Sequence, residues 1–383
     1  METPISFTDP RIVRESDCVV LYGAGTVGKD VSEVLCQAGV AVRCALDRRV
    51  RGTLGDVPVY SPDACPIPLP ERERIPVVLS VFNRDVDVVA LAADVRALGF
   101  HQIVTFVDLH HLFAGALGDR FWLTNRETMC LKEADIRIVE DLWADQESRD
   151  LYRGLVDLRR TGAYSEAIAP RAGRESYFRP GISEWLEQGP HRFVDCGAYN
   201  GDTFEAMLSS GIRVNGSAHF EPDLENFLVL SATLARHRVE TECAAFAWPC
   251  AVADRTGVVR FDGGQQEGSV ISASGANVAT AVALDDVLAG WRPTFVKMDI
   301  EGAEVEALRG ASRLLSCSHP HLAICVYHRP DHLWEIPLLL SDAAGLDGYE
   351  YYLRAHGQNG FDTVLYARPR LTAGAVNNIE VSL

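Results

Sequence analysis

Four ionisable side chains follow runs of apolar residues that are typical of buried β-strands. Asp195, Glu221, Asp299 and His328 each stand where such a run ends. In an open α/β sheet the loops at the carboxyl ends of the strands converge, and ligands bind there. Three carboxylates and an imidazole at one edge suit a positively charged ligand and a reaction in which a proton is removed.

The segment FVDCGAYNGDT at 193–203 predicts a strand, a glycine turn and the start of a helix. Gly197 and Gly201 would let the backbone approach a ligand closely. A phosphate-binding loop would carry a lysine or a third glycine here, whereas this turn carries Asp195 and Asp202. Carboxylates suit the amino group and sulfonium of S-adenosylmethionine. The alternative is a tight turn in which Asp202 only stabilises the helix dipole.

The sequence FEP at 220–222 ends the next predicted strand. Glu221 is the residue type that accepts hydrogen bonds from both ribose hydroxyls of a nucleotide at this position. Taken alone, it could equally be a solvated acid before a helix. Its place beside the glycine turn favours ribose binding, with Pro222 next to it.

The predicted strand 294–298 delivers Asp299 to the same cleft. Asp299 could act as a base, orient an acceptor or bind a divalent metal, although the sequence contains no firm set of metal ligands. Glu301 and Glu304 favour the start of the helix that follows. His328 is a candidate general base because imidazole titrates near neutral pH.

A second glycine pattern lies near the start of the chain. Gly23, Gly25 and Gly28 form a GxGxxG turn between a strand and a helix, and Asp47 ends the next strand at the spacing of a ribose contact. This pattern predicts a second nucleotide or nucleotide-sugar site. Because it is also common in domains that bind nothing, the first half could instead be structural or form a homodimer.

The elements that position these residues alternate between strand and helix, which predicts parallel sheets covered by helices on both faces. The sequence therefore predicts an α/β protein with two doubly wound, Rossmann-like domains. The predicted strands are 18–22, 40–46, 77–81, 102–106, 192–195, 217–221, 250–253, 294–298, 322–327, 349–354 and 363–367, the last two as an antiparallel pair. The predicted divisions are a Rossmann-like domain at 1–112, a helical connector or lid at 113–189, the catalytic domain at 190–370 and a flexible tail at 371–383.

Composition narrows the range of partners. The 383-residue chain has a formal net charge of -17, which disfavours nucleic acid as the main partner. No apolar stretch approaches the roughly 20 residues that span a bilayer, so we expect no membrane insertion. The ten cysteines form no CxxC pair and the first residues do not resemble a signal peptide, which favours reduced thiols and a cytoplasmic location.

Together these motifs resemble the FkbM family of methyltransferases over roughly residues 175–368. Their order and spacing are more specific than any single motif. The matching segments are FVDCGAYNGDT at 193–203, FEP at 220–222, FVKMDIEGAEVEALRGA at 295–311 and YH at 327–328.

The resemblance implies a seven-stranded class I methyltransferase sheet, S-adenosylmethionine as donor, and O-methylation of a hydroxyl on a small molecule or glycan. Acceptors in the family are often sugars or natural-product intermediates, including those of polysaccharide biosynthesis. The donor-binding residues implied in this way are Asp195, Gly197, Ala198, Tyr199, Gly201, Asp202, Thr203, Glu221, Pro222, Ala251 and Asp299.

Two other interpretations stay open at this point. The chain could be a non-catalytic nucleotide-binding or regulatory protein whose N-terminal domain is the sensor. A weaker alternative is a nicotinamide-dependent oxidoreductase that uses the turn at 23–28. The acidic residues of the second half favour the methyltransferase.

Overall fold

A computed structural model describes residues 7–126, 132–170, 177–187, 189–241, 244–262, 270–271, 277–343 and 348–370. The predicted tail at 371–383 lies outside this part of the chain. None of the described helices is long and apolar enough to cross a membrane. The helices are α1 Ile12–Glu15, α2 Thr26–Gln37, α3 Leu69–Arg72, α4 Val88–Ala97, α5 Phe106–Leu112, α6 Ala114–Leu117, α7 Glu133–Glu140, α8 Gln146–Thr161, α9 Asp202–Ser209, α10 Leu224–Thr241, α11 Leu284–Val287, α12 Glu304–Arg309, α13 Ser312–Ser318 and α14 His332–Asp342.

The first half forms a six-stranded sheet with the order β3-β4-β2-β1-β5-β6. Its strands are β1 Cys18–Tyr22, β2 Ala41–Leu46, β3 Gly52–Leu54, β4 Val57–Tyr60, β5 Val77–Leu79 and β6 Ile103–Thr105. All neighbours pair in parallel except β3, which pairs antiparallel with β4. The parallel Rossmann-like sheet is confirmed, whereas the short β3–β4 hairpin at its edge was not among the predicted strands.

The second half is built on a seven-stranded sheet with the order β16-β17-β15-β14-β7-β8-β9. The strands of this half are β7 His191–Cys196, β8 Val214–Phe220, β9 Ala244–Trp248, β10 Cys250–Val252, β11 Gly257–Asp262, β12 Val270–Ile271, β13 Asn277–Val282, β14 Phe295–Met298, β15 His321–Cys325, β16 Tyr349–Ala355 and β17 Thr363–Pro369. The last two strands are antiparallel to each other, and β17 is antiparallel to β15. The predicted α/β class, the seven-stranded sheet and the final antiparallel pair are confirmed.

One predicted strand lies in a different sheet. Residues 250–253 were expected in the main sheet, but β9 takes that place and β10 joins a four-stranded sheet with the order β10-β13-β11-β12. Pro249 separates the two strands, and a proline cannot donate a hydrogen bond to a sheet. Trp248 at the end of β9 stacks on Phe220 with ring centroids 4.9 Å apart.

The part of the chain predicted as the connector, 113–189, contains the helices α6, α7 and α8. The side chain of Asp145 accepts a hydrogen bond from the Ser148 amide at 2.8 Å and so caps α8. Arg354 of β16 donates to Asp145 Oδ2 at 2.6 Å and to Ser148 Oγ at 2.8 Å. The connector is therefore attached to the second sheet, and buried apolar side chains of both halves belong to one continuous core.

Candidate active site

The glycine turn after β7 has the tight geometry that its sequence predicts. Gly197 and Gly201 have φ angles of +76° and +89°, and Tyr199 between them has +46°. A Cβ on Gly197 would lie 1.9 Å from the Asp299 carbonyl oxygen, so only glycine fits. The turn after β7 and the loop after β14 are therefore in direct contact.

Asp195 lies beneath this turn rather than on its surface. It stands in register with Lys297 of β14 and His219 of β8, so the three side chains form one row across neighbouring strands. The Asp195 carboxylate has no exposed surface and lies 3.1 Å from Lys297 Nζ and 3.6 Å from His219 Nδ1. The predicted contact of Asp195 with a donor stays a prediction.

Lys297 links this buried row to the turn. Its ammonium group also donates a hydrogen bond to the Gly197 carbonyl oxygen at 2.6 Å. Burial would lower the pKa of Lys297, but the charge of Asp195 outweighs that effect and raises it. The ammonium therefore stays charged, and it holds Asp195 and Gly197 together.

Glu221 combines burial with unused hydrogen-bonding capacity. It is 5% exposed, and its two oxygens accept hydrogen bonds from the amides of Tyr199 at 2.8 Å and Asp223 at 2.9 Å. Burial raises the pKa of Glu221 to about 7, although these amides act in the opposite direction. Because each carboxylate oxygen can accept two hydrogen bonds, both can still accept a ribose hydroxyl.

The other predicted donor-binding residues differ in exposure. Asp202 is exposed at the start of α9, and its Oδ1 accepts a hydrogen bond from the Thr203 amide at 2.7 Å. Shielding by the surrounding protein raises the pKa of Asp202, while Lys297 counteracts this. Ala198 and Ala251 are buried, Thr203 is 8% exposed and Pro222 is half-buried.

A second cluster lies at the ends of β14 and β15, where four ionisable side chains converge. His328 Nδ1 lies 2.7 Å from Glu304 Oε1, and its Nε2 lies 3.3 Å from Asp299 Oδ1 and 3.6 Å from Glu301 Oε2. The His328 side chain is almost fully buried, while 30% of Asp299 is exposed. The predicted strand-end residues Asp299 and His328 are therefore in contact.

The charges in this cluster depend on one another. Burial would lower the pKa of His328, but Glu304 and Asp299 outweigh it and raise that pKa well above its ordinary value. Burial would raise the pKa of Asp299, but its contact with His328 and the charge of Lys297 lower it instead. The favoured state is an imidazolium between carboxylates, and an imidazolium has no lone pair with which to act as a base.

Two members of this cluster were missed as functional residues. Glu304 was expected only to favour a helix start, yet it is fully buried and also lies 3.2 Å from His332 Nδ1 through its other oxygen. Tyr177 donates a hydrogen bond to Asp299 Oδ2 at 2.9 Å. Neither contact has a local sequence signal, because the partners are remote in the sequence. Tyr177, for example, lies 122 residues before Asp299.

The N-terminal glycine turn is equally tight, but the carboxylate beside it has fewer free positions for accepting hydrogen bonds. Gly25 precedes α2, Gly23 has φ of +115°, and a Cβ on Gly28 would lie 2.2 Å from the Gly23 carbonyl oxygen. The carboxylate of Asp47 accepts three backbone hydrogen bonds, at 2.9, 2.7 and 2.8 Å, from Ala24, Arg49 and Val50. These bonds outweigh burial and lower its pKa. With about four acceptor positions on a carboxylate, Asp47 retains fewer for a ribose than Glu221 does.

Metal ligation was left open by the sequence. Across the described residues, no group of three or more histidine, cysteine, aspartate or glutamate side chains is arranged to hold a metal ion. The carboxylates around His328 instead pair with that imidazolium.

The second half of the chain is similar to a known protein family. Residues 195–357 match the family model described as the methyltransferase FkbM domain. This segment belongs to the FkbM methyltransferase family. The matched residues include the glycine turn, Glu221, Asp299, Glu304 and His328, whereas Tyr177 precedes them.

Solved structures extend the likeness of fold beyond the FkbM domain. The methyltransferase FkbM from Methylobacillus flagellatus KT is 21% identical with a TM-score of 0.73, and the alignment covers 94% of each chain. Both halves of the present fold therefore recur in that protein.

Two further structures are more distant. An rRNA methylase from Streptococcus thermophilus is 11% identical with a TM-score of 0.32, over 50% of this chain and 97% of that one. An S-adenosylhomocysteine-bound methyltransferase from Podospora anserina is 12% identical with a TM-score of 0.26, over 64% of this chain and 97% of that one. No curated protein matches the chain.

Proposed function

We propose that the chain is an S-adenosylmethionine-dependent O-methyltransferase that acts on a hydroxyl of a sugar or natural-product intermediate. The observation that carries this proposal is the direct contact between the glycine turn and the Asp299 segment. It would bring a donor bound at the turn next to Asp299, the most exposed acid of the His328 cluster, where an acceptor hydroxyl could lose its proton.

The residues around the turn fit S-adenosylmethionine chemically. Glu221 would take the ribose hydroxyls through its free acceptor positions, and Asp202 would lie near the positively charged methionine end. Gly197 and Gly201 keep this surface free of side chains. When bound, the donor supplies a methyl carbon activated by its sulfonium.

In the proposed mechanism Asp299 receives the proton of the acceptor. Its carboxylate is ionised at neutral pH and oriented by Tyr177 at Oδ2 and His328 at Oδ1. As the new carbon–oxygen bond forms, the acceptor oxygen becomes acidic, so even a weak base can remove its proton. His328, fixed by Glu304, then acts as a positioning residue, so that of the two predicted bases we propose Asp299.

Replacing Asp299 with asparagine tests this assignment. The variant keeps an oxygen for Tyr177 or His328 but loses the basic site, so kcat should fall by about 10²- to 10⁴-fold. Steady-state assays with an acceptor found by screening would measure kcat for the variant and the wild type. A kcat within a factor of two of the wild type would contradict the role of Asp299.

Calorimetric titration with S-adenosylhomocysteine tests the donor site. Wild type should bind with a Kd on the order of micromolar, which corresponds to about 8 kcal/mol. Glu221→Gln should lose most of this affinity, whereas Glu225→Gln, an exposed acid on α10, should keep it. No binding to the wild type would overturn the proposal.

The same titration with NADH and with a nucleotide sugar tests whether the first half of the chain binds a nucleotide. We propose a second nucleotide site at Gly23, Gly25, Gly28 and Asp47. The alternative is that the first half has a structural or dimerising role. Binding of a dinucleotide without S-adenosylhomocysteine would favour the oxidoreductase or the regulatory alternative instead.

The domain divisions, the location and the oligomeric state are also proposed. We propose the domain divisions 1–112, 113–189 and 190–370, and a cytoplasmic location. The described cysteines are all free thiols, which is typical of a reducing compartment. A homodimer is also proposed as an arrangement of the N-terminal half, to be measured by light scattering.

A further inference from the structure

An exposed aromatic ring from the connector lies beside the His328 cluster. Phe121 stands at the corner of a turn closed by two backbone hydrogen bonds of 2.9 Å between Arg120 and Leu123. Its φ is +51°, a conformation that is unfavourable for a bulky L residue, and 43% of the residue is exposed. Strain of this kind persists only where neighbouring contacts hold it, and it often marks a functional position.

Both neighbours of Phe121 are anchored, each to a different half of the protein. Arg120 forms an ion pair of 2.5 Å with Asp30 of α2 in the first half. Trp122 is buried and donates a hydrogen bond of 2.9 Å from Nε1 to the Asn359 carbonyl oxygen in the second half. The position of the Phe121 ring is therefore fixed by the junction of the two sheets.

The ring of Phe121 is directed at the catalytic cluster. Its centroid lies 6.2 Å from the Tyr327 ring at an interplanar angle of 29°, and 6.5 Å from the His328 ring. Phe361 supports it edge-on at 5.0 Å. Tyr327 and Phe361 are each only 7% exposed, so Phe121 is the ring of this group that offers an open surface.

We infer that Phe121 is the stacking platform for the methyl acceptor, and that the acceptor is an uncharged, hydroxyl-bearing ring. This inference rests on the proposed function. An aromatic face binds the flat apolar side of a ring, either a pyranose or an aromatic alcohol. Asp299 and Glu301 nearby would repel an anionic acceptor such as a phosphate ester. The N-terminal half and the connector would then build the acceptor site, whatever else they bind.

Ligand-observed saturation-transfer NMR tests this platform. The probes are methyl β-D-glucopyranoside and benzyl alcohol, each added to protein saturated with S-adenosylhomocysteine. The first represents a pyranose acceptor and the second an aromatic alcohol. We expect transfer to at least one probe with wild type and a loss of at least fivefold in Phe121→Gly. Glycine tolerates the positive φ at this position, which offsets part of the lost ring contacts, so we expect this variant to fold.

Two controls make the result specific. Phe121→Tyr keeps the ring and should keep the transfer, as should Phe246→Ala, which removes an exposed aromatic ring from β9. Equal transfer in Phe121→Gly, or no transfer from wild type to either probe, would overturn the inference. Transfer that depends on Phe121 in a protein without S-adenosylhomocysteine affinity would instead overturn the proposed donor and leave the platform standing.

Discussion

Buried charge explains the behaviour of single residues in the second half. Lys297 and Asp195 are both almost fully buried and pair at 3.1 Å, with Gly197 as the third partner of the ammonium. Removing one member of such a pair leaves a buried charge without compensation, which is far more costly than removing both. The same row therefore supports the turn and makes it sensitive to substitution.

A pair of variants measures this coupling. Lys297→Met should lower the free energy of unfolding by about 3–5 kcal/mol, because Asp195 would remain charged or take up a proton at a cost. The double variant with Asp195→Asn should be more stable than Lys297→Met alone. Urea unfolding gives both values. If the two substitutions were simply additive, the ion pair would have no energetic role.

The pKa of Glu221 predicts a pH dependence of donor binding. Ribose hydroxyls donate to a carboxylate, so the ionised form of Glu221 should bind better than the protonated form. With a pKa of about 7 in the empty site, roughly a tenth of the molecules are ionised at pH 6. The Kd for S-adenosylhomocysteine should therefore weaken by about tenfold from pH 8 to pH 6.

Glutamine at position 221 is the control for this pH profile. Calorimetry across the same range should find weak affinity that changes little with pH in Glu221→Gln. A wild-type Kd that stayed constant between pH 6 and pH 8 would contradict ribose binding by Glu221.

At the scale of elements, the site depends on two turns that touch. The turn after β7 requires positive φ at Gly197, and the loop after β14 has positive φ at Glu301 and Gly302. The carbonyl oxygen of Asp299 occupies the space where a side chain at Gly197 would lie. The ends of β7 and β14 consequently position the proposed donor surface and the proposed base as one unit.

Gly197→Ala should disturb both turns. The left-handed conformation alone costs an L residue about 1–2 kcal/mol, and contact with the Asp299 carbonyl adds to this. Binding of S-adenosylhomocysteine should be lost. Gly211→Ala is the matched control, because Gly211 has the same φ of +76° with open space around its Cα. It should show only the conformational cost and normal binding by calorimetry.

The whole molecule is held together by contacts between its two sheets. Asn359, in the turn between β16 and β17, donates hydrogen bonds of 2.9 Å to the carbonyl oxygens of Asn83 and Val86 in the first half. Arg84 forms an ion pair of 2.8 Å with Asp362 nearby. Because the two halves share one apolar core, we expect them to unfold in one transition.

Asn359→Gly tests this connection. Glycine accepts the φ of +58° at this position but loses both amide hydrogen bonds, each of which contributes about 0.5–1.5 kcal/mol. Unfolding should remain a single transition at a lower midpoint. Gln358→Ala is the control, since Gln358 contacts Arg84 through its backbone amide, and it should unfold like the wild type. Two separate transitions in the wild type would contradict the shared core.

The sequence by itself determined the local features of this protein. Apolar runs, glycine turns and their spacing predicted both parallel sheets, the turn at Gly197 and the meeting of Asp299 with His328, because these depend on backbone conformation and strand direction. The same local patterns gave a strand at 250–253 but not β9, because they do not show which of two strands separated by a proline joins the main sheet.

Only the tertiary structure decided which groups are buried, charged and in contact. Asp195 pairs with a lysine 102 positions later, His328 is held as an imidazolium by Glu304, and Phe121 reaches the catalytic cluster from the connector. Each of these depends on distances and burial that arise when remote strands pack together. Since a pKa and a ring contact are set by that three-dimensional environment, no local pattern in the sequence encodes them.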